Sequence, residues 1–276
     1  DPLQAFFSHL LEDYADEWLW RPAMHYRWSY PDDALLLSRR ITREMLADVP
    51  LPFWLKRRRV RRRQSGIFVR GDGVDEATRA HVEATYLRTL DHLSAIFDDR
   101  PFMLGKSPTL ADFGFFASMF RHFGMDPTPA SIMMQRAPAV YEWVARLWNA
   151  RASRTAGPLV DCLPEDWEPI LSDIGATYLP YLDANARAWG EQQEHFDVRI
   201  QDVQYTDLPT SRYRVWCLEK LRERFESLAE ADATEARSLL ERTGCWAPLW
   251  QTADLDSGYD PEHRAPFGAG LGVFDL

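Results

Sequence analysis

The chain has 276 residues, 46% of them hydrophobic, and a formal net charge of −10. This content is enough for a sizeable core in one large domain or two. The negative charge argues against a general affinity for nucleic acid, and no apolar run approaches the roughly 20 residues of a membrane span. The first residues, from Asp1, do not have the pattern of a signal peptide, and the missing initiator Met suggests a processed or truncated chain.

The cysteines argue for a reducing, cytoplasmic location. They are Cys162, Cys217 and Cys245. They lie far apart and form no C-x-x-C pair, so neither a disulfide framework nor a zinc site is indicated. We expect them to be small buried residues rather than reactive thiols.

Two helices are predicted in the first 50 residues. Apolar side chains recur at intervals of three and four over 3–20, which predicts an amphipathic helix that Pro22 ends or kinks. An aromatic cluster follows, formed by Tyr26, Trp28 and Tyr30. A second helix begins near Pro31 and runs to about Ala47.

A basic helix is predicted after the proline-containing break at 49–52. It carries seven cations in eight residues: Lys56, Arg57, Arg58, Arg59, Arg61, Arg62 and Arg63. The favoured interpretation is a solvated helix face paired with the surplus carboxylates of the chain. An anion-binding or membrane-surface patch and a nucleic-acid site are the two alternatives. Gly66 and 71–73 predict a loop or turn pair after this helix.

The clearest helical pattern lies in the middle of the chain. Over 75–98, apolar residues step by three and four, which predicts a long central helix. Thr109 and Asp112 then have the spacing of a capping box for a helix running to about Phe123. We expect four residues of that helix to be buried: Leu110, Phe113, Ala117 and Phe120. Two further helices are predicted up to about residue 150.

The sequence predicts three parts. Residues 1–155 form a helical domain, 156–250 a helical extension, and 251–276 an irregular tail. Alternation of apolar and polar residues over 196–206 predicts a short hairpin that turns near Gln201 and Asp202. The predicted fold class is therefore all-α with one small β-hairpin.

Several motifs resemble the C-terminal domain of glutathione S-transferases. The segment 102–113, FMLGKSPTLADF, resembles the glycine loop and capped helix of that domain, and 136–143 resembles its following helix in order and spacing. The segments 11–18 and 25–28 resemble bacterial members of the family with an extended C-terminus. The resemblance implies a glutathione-transferase C-terminal-like helical bundle with a helical extension.

The resemblance also implies a site. The first helix and its aromatic continuation would line the pocket for an electrophile, which nominates Tyr14, Trp18, Met24, His25, Tyr26 and Trp28. Asp13 and Asp16 would contact glutathione as the co-substrate. In this family a thioredoxin-like domain supplies the thiol-activating residue, and the present chain begins where that domain would end. No catalytic residue is assigned.

A purely structural interpretation is the alternative for each of these features. The acidic residues near His9 are more typical of a solvated face than of a metal site, and no metal is expected. His25, with Tyr26 and Arg27, is either an acid-base group or part of an aromatic core with polar tips. One helix face is predicted to carry three phenylalanines, Phe113, Phe116 and Phe120. They are interpreted as core, and a hydrophobic ligand pocket is the alternative.

The favoured function is that of a glutathione-transferase-family protein whose helical half binds a small apolar electrophile for conjugation or reduction. The alternative is a non-catalytic binding or scaffold protein built on the same fold. The expected partners are the small molecule, a thioredoxin-like domain in the intact protein and a second copy of the chain in a homodimer. Neither a nucleic acid nor a membrane span is expected.

Overall fold

A computed structural model describes residues 1–260, and α-helices dominate it. The first eight helices are α1 (Pro2–Glu17), α2 (Trp20–Ser29), α3 (Pro31–Met45), α4 (Phe53–Ser65), α5 (Arg79–Asp99), α6 (Leu110–Ser118), α7 (Pro127–Arg136) and α8 (Pro138–Trp148). The extension contains α9 (Glu168–Ala176), α10 (Tyr178–Gly190), β1 (His195–Ile200), β2 (Val203–Pro209), α11 (Arg212–Glu226), α12 (Glu230–Arg242) and α13 (Trp246–Trp250). The all-α prediction with one hairpin is confirmed.

The N-terminal region is more helical than predicted. The Asp1 carboxylate caps α1 by accepting bonds from the amides of Leu3 at 2.8 Å and Gln4 at 3.1 Å. Tyr26 and Trp28 of the predicted aromatic cluster lie in an additional helix, α2, which the sequence analysis missed, and Tyr30 follows directly after its end. Pro22 is tolerated there because it occupies the first turn, where an amide has no intrahelical acceptor.

The α3–α4 connection is held by Lys56, a member of the basic run. Lys56 is buried, and its ammonium donates to the carbonyl oxygens of Leu46 at 2.6 Å and Val49 at 3.3 Å. These bonds satisfy carbonyl groups that follow the end of α3. After α4 the chain continues as a π-helical turn, Gly66–Arg70, where a loop was predicted.

The capping box at the start of α6 is present, and its carboxylate does more than cap. Asp112 accepts bonds from the Thr109 amide and hydroxyl, both at 2.9 Å. It also accepts from the Met103 amide at 2.9 Å and from Trp143 Nε1 at 3.1 Å. The fully buried Asp112 therefore ties α6 to the preceding loop and to α8.

The predicted buried face of α6 is wrong. Leu110 and Phe113 are 37% and 56% exposed, Ala117 is exposed, and Phe120 is only partly buried. The residues that point inward are Ala111, Asp112, Gly114, Phe115, Ser118, Met119 and Phe123. The close approach of α1 decides this orientation, because a Cβ on Gly114 would lie 2.7 Å from Glu12 Cα.

The extension packs on the first domain through one continuous hydrophobic core. The linker pairs with the loop before α6, with Lys106 N donating to Pro158 O at 3.0 Å and Val160 N to Leu104 O at 2.8 Å. The hairpin turns at Gln201, whose φ of 53° suits a tight two-residue turn. The division at residue 155 stays a prediction.

Two further sequence predictions need comment. Cys217 and Cys245 are buried as expected, whereas Cys162 is exposed. Residues 251–260 contain no helix or strand, and the remainder of the predicted irregular tail, 261–276, lies outside the described residues.

Candidate functional site

The six side chains predicted to line an electrophile pocket lie in the core. None is more than 5% exposed: Tyr14, Trp18, Met24, His25, Tyr26 and Trp28. Tyr14 makes an edge contact with Phe115 on the inner side of α6, and Trp18 packs against Tyr181 of the extension. The structure thus brings these residues together as packing between helices, without an open surface for a ligand.

His25 is held in place by a carboxylate. Its Nε2 lies 2.9 Å from Glu83 Oε1, which also accepts a bond from the Tyr30 hydroxyl at 3.0 Å. Burial lowers the pKa of His25, and the Glu83 contact opposes that shift. Arg27 lies apart from this group, in an ion pair with the buried Asp126 at 2.7 Å. These contacts favour the core interpretation of His25.

Asp13 is hydrogen-bonded to α10 of the extension. Its carboxylate accepts a bond from the Tyr178 hydroxyl at 2.7 Å. Burial raises the pKa of Asp13 to about 7, and the Tyr178 bond opposes that shift. Nearby, the Tyr14 hydroxyl donates to Asp173 at 3.0 Å, and Arg214 pairs with Glu17 at 3.0 Å. A polar seam therefore joins α1 to the helices of the extension.

Asp16 has a different environment. It is exposed, and within residues 1–260 no side chain forms a hydrogen bond or ion pair with it. Partial desolvation, followed by repulsion from Glu12 and Glu17, raises its pKa to about 7. A carboxylate in this situation is stabilised by an approaching cation, because the cation offsets both effects.

A partly exposed aromatic row runs along the outer side of α6, through the π-helical turn that follows it, Met119–Phe123, and onto α8. Phe116 and Phe120 are stacked with a centroid distance of 5.1 Å, and Phe120 stacks on Trp148 at 4.4 Å. Phe113 continues the row at 56% exposure, and Trp148 is 63% exposed. The sequence analysis placed the three phenylalanines of this row in the core. Their spacing of three and four residues correctly indicated that they share one helix face.

The aromatic row and the acidic residues of α1 lie on adjacent helices. Helix α1 presents Glu12 and Asp16, and α6 packs directly on it because Gly114 has no side chain to separate the two backbones. The Ser118 hydroxyl donates to Ala15 O at 3.2 Å and continues this contact. The paired helices thus combine apolar rings with a carboxylate that has no partner in the described part of the chain, which suits a ligand that is partly apolar and partly cationic.

Metal binding finds no support in the described part of the chain. His9 Nδ1 lies 3.9 Å from Glu12 Oε2, and no group of three potential ligands converges within residues 1–260. No helix there is long and apolar enough to span a bilayer.

Comparison with known families gives one match. Residues 76–146 match the family model described as glutathione S-transferase, C-terminal domain. Over these residues the chain is similar to a glutathione S-transferase C-terminal domain. No curated protein and no solved structure gave a significant match.

The matched residues contain α5, α6, α7 and most of α8. They therefore include the capping box and the three phenylalanines of the aromatic row, whereas Trp148 follows two residues after their end. Helix α1, with Asp16, lies outside the matched residues and joins the site only through its packing against α6.

Proposed function

We propose that this chain is the helical, substrate-binding half of a glutathione-transferase-family enzyme that conjugates or reduces an apolar electrophile. The observation that carries the proposal is the aromatic row on α6 and α8, adjacent to helix α1, whose Asp16 has no hydrogen-bond or ion-pair partner among residues 1–260. The intact enzyme would add a thioredoxin-like domain against this face and enclose the ligand between the two parts.

The aromatic row would bind the apolar part of the substrate. Stacked rings left open to water offer flat apolar surface, and burying it against a ligand is favourable by roughly 25 cal/mol per Å². Phe113 and Trp148 are the most exposed members. The predicted electrophile-lining residues, such as Tyr14, enter this proposal as the packed layer behind α6, because Tyr14 contacts Phe115 rather than the open face.

Asp16 would bind the ammonium group of glutathione. Its exposure, lack of a partner within residues 1–260 and raised pKa all fit an ammonium ligand. Asp13 fits less well, because the Tyr178 hydroxyl already occupies its carboxylate. Of the two predicted contacts, we therefore assign the ammonium to Asp16.

In the proposed conjugation, the glutathione thiolate attacks an electrophilic carbon of the substrate. A carbon–sulfur bond forms, and the leaving group departs with its bonding electrons while the thiol proton passes to solvent. The described residues position the two reactants, which is the contribution that proximity makes to such a bimolecular step. No residue of this chain is assigned to activation of the thiol.

The test uses the chain together with any upstream coding sequence of its gene. Glutathione binding is measured by calorimetry, and conjugation is followed with a chlorodinitrobenzene as the electrophile. We expect Asp16→Asn to weaken glutathione binding about tenfold, in line with a partly exposed charged contact. Phe113→Ser should raise the KM for the electrophile and leave glutathione binding unchanged.

Matched variants keep the result specific. Asp32→Asn removes an exposed carboxylate at the start of α3, and Tyr141→Ser removes an exposed aromatic ring on α8; both should behave as the parent protein. Absence of glutathione binding by the longer form refutes the transferase proposal and favours the non-catalytic alternative. Sedimentation velocity tests the homodimer that the family resemblance implies.

A further inference from the structure

The strongest charge asymmetry of the chain lies on α3, α4 and the π-helical turn. Between residues 39 and 70 there are eleven cationic side chains and only two carboxylates, Glu44 and Asp48. The chain as a whole carries −10, so this surface has the opposite sign to the rest of the molecule. We call it the basic surface. Such segregation orients a protein toward an anionic partner.

The arginines of the basic surface have no carboxylate partner among residues 1–260, and Arg43 lies 5.9 Å from the ring centroid of Phe53. In the described part of the chain, no ion pair involves any of Arg39, Arg40, Arg43, Arg57, Arg58, Arg59, Arg61, Arg62, Arg63 or Arg70. Pairing with surplus carboxylates, part of the favoured sequence interpretation, is therefore not seen for these arginines within residues 1–260. Lys56 is the exception among the cations, because it is buried against the carbonyl groups after α3.

Large apolar side chains are exposed among these cations. Met45 is 73% exposed, Trp54 61%, Ile67 49% and Phe53 40%. Trp54 shares the outward side of α4 with Arg58 and Arg61, which follow it by four and seven residues.

A groove of about 860 Å³ lies between α3 and the end of α4. Its lining combines apolar residues, including Ile41, Met45 and Ile67, with arginines, including Arg59 and Arg62. Hydration of this apolar lining is unfavourable. An anionic amphiphile would contact the apolar residues with its hydrocarbon part and the arginines with its charged group.

We propose that the basic surface docks the protein on an anionic lipid bilayer. The arginines contact lipid phosphates, while Trp54, Met45 and Ile67 enter the boundary between head groups and acyl chains. The exposed aliphatic side chains decide between a bilayer and a nucleic acid. Met45 and Ile67 lose water in the acyl boundary, whereas a sugar–phosphate backbone offers them no apolar counterpart. Tryptophan also favours this boundary because it joins an apolar ring to a polar N–H.

Vesicle flotation of the full chain tests the proposal. Vesicles of phosphatidylcholine are compared with vesicles that also contain phosphatidylglycerol, at low and at physiological salt. We expect binding only to the phosphatidylglycerol vesicles, weakened by salt because exposed charges are screened over about 8 Å. The double variant Arg58→Gln, Arg61→Gln should bind about fivefold more weakly for each cation removed.

Control variants separate docking from general charge and apolarity. Arg151→Gln with Arg154→Gln removes two exposed cations in the linker and should bind as the parent does. Trp54→Ser should weaken binding, whereas Tyr141→Ser on α8 should not. Thermal unfolding monitors folding of every variant.

Three outcomes of the vesicle measurements overturn the proposal. These are equal binding to both kinds of vesicle, no binding to either, and equal losses in the basic-surface and linker variants. Tighter binding to a duplex or single-stranded oligonucleotide than to the anionic vesicles also overturns it, in favour of a nucleic-acid site. Glutathione binding plays no part in these measurements, so they succeed or fail independently of the proposed transferase function.

Discussion

Replacement of Asp112 by alanine should destabilise the protein far more than loss of a helix cap alone. The cap accounts for about 1 kcal/mol of unfolding free energy. Asp112 also accepts bonds from Met103 N and Trp143 Nε1, and both partner residues are fully buried. Alanine leaves these two donors without an acceptor, at about 1–3 kcal/mol each. Burial raises the pKa of Asp112, so removing the carboxyl also relieves a desolvation cost.

Together these contributions lower the free energy of unfolding of Asp112→Ala by about 4 kcal/mol. For a chain of this size that corresponds to a fall in Tm of roughly 8–16 °C. Chemical denaturation followed by circular dichroism measures the free energy, and a thermal scan measures Tm. Asp232→Ala is the matched control, because Asp232 occupies the same third position of its helix, α12, without a hydrogen bond to its carboxylate among residues 1–260.

The control should lose less than about 1 kcal/mol, the scale of a charge near a helix N-terminus. Asp112→Asn should fall between the two, since one amide oxygen still accepts from Met103 and Trp143 while the NH₂ group faces the Thr109 amide. If Asp112→Ala unfolds at the same denaturant concentration as Asp232→Ala, the four-bond account of Asp112 is refuted.

Three further predictions concern α6 and its contact with α1. Phe113→Ser should change the unfolding free energy by less than about 0.5 kcal/mol, whereas Phe115→Ser should cost about 3–5 kcal/mol; equal losses would contradict the orientation of α6. Gly114→Ala should cost about 1–3 kcal/mol, because its Cβ would meet Glu12 Cα at 2.7 Å, and a parent-like denaturation curve would contradict that contact. The pKa of Asp16 is raised from 3.8 to about 7, so in this window the folded chain holds a proton that the unfolded chain has released. Stability from this group therefore falls as pH rises from about 4 to 7, and Asp16→Asn should raise Tm at about pH 8 but not near pH 4; thermal scans at both pH values check this.

Local patterns were sufficient to predict most helices. The stripe of α5 is buried at every position that its spacing predicted, because burial of one face imposes a repeat of 3.6 residues. The capping box and the turn at Gln201 and Asp202 were predicted for a similar reason: each depends on bonds between residues a few positions apart. Pro22 misled the prediction because the same residue ends one helix or begins another.

The candidate site was harder to predict. Phe113, Phe116 and Phe120 have the spacing of a core face, and hydrophobicity alone does not distinguish rings that face a partner from rings that face the core. The six residues nominated through the family resemblance lie on α1 and α2 or directly between them, and their side chains are buried in the bundle. Their role in a site stays a prediction.

The sequence by itself determined the fold class, the capping box and the relation to glutathione S-transferases, since all three depend on short-range spacing of residue types. Only the tertiary structure decided which side of α6 meets α1, that Asp13 is occupied by Tyr178, and that the arginines of α4 have no carboxylate partners among the described residues. These contacts join positions far apart in the chain. Their energies depend on which helices pack together, and no local pattern specifies that.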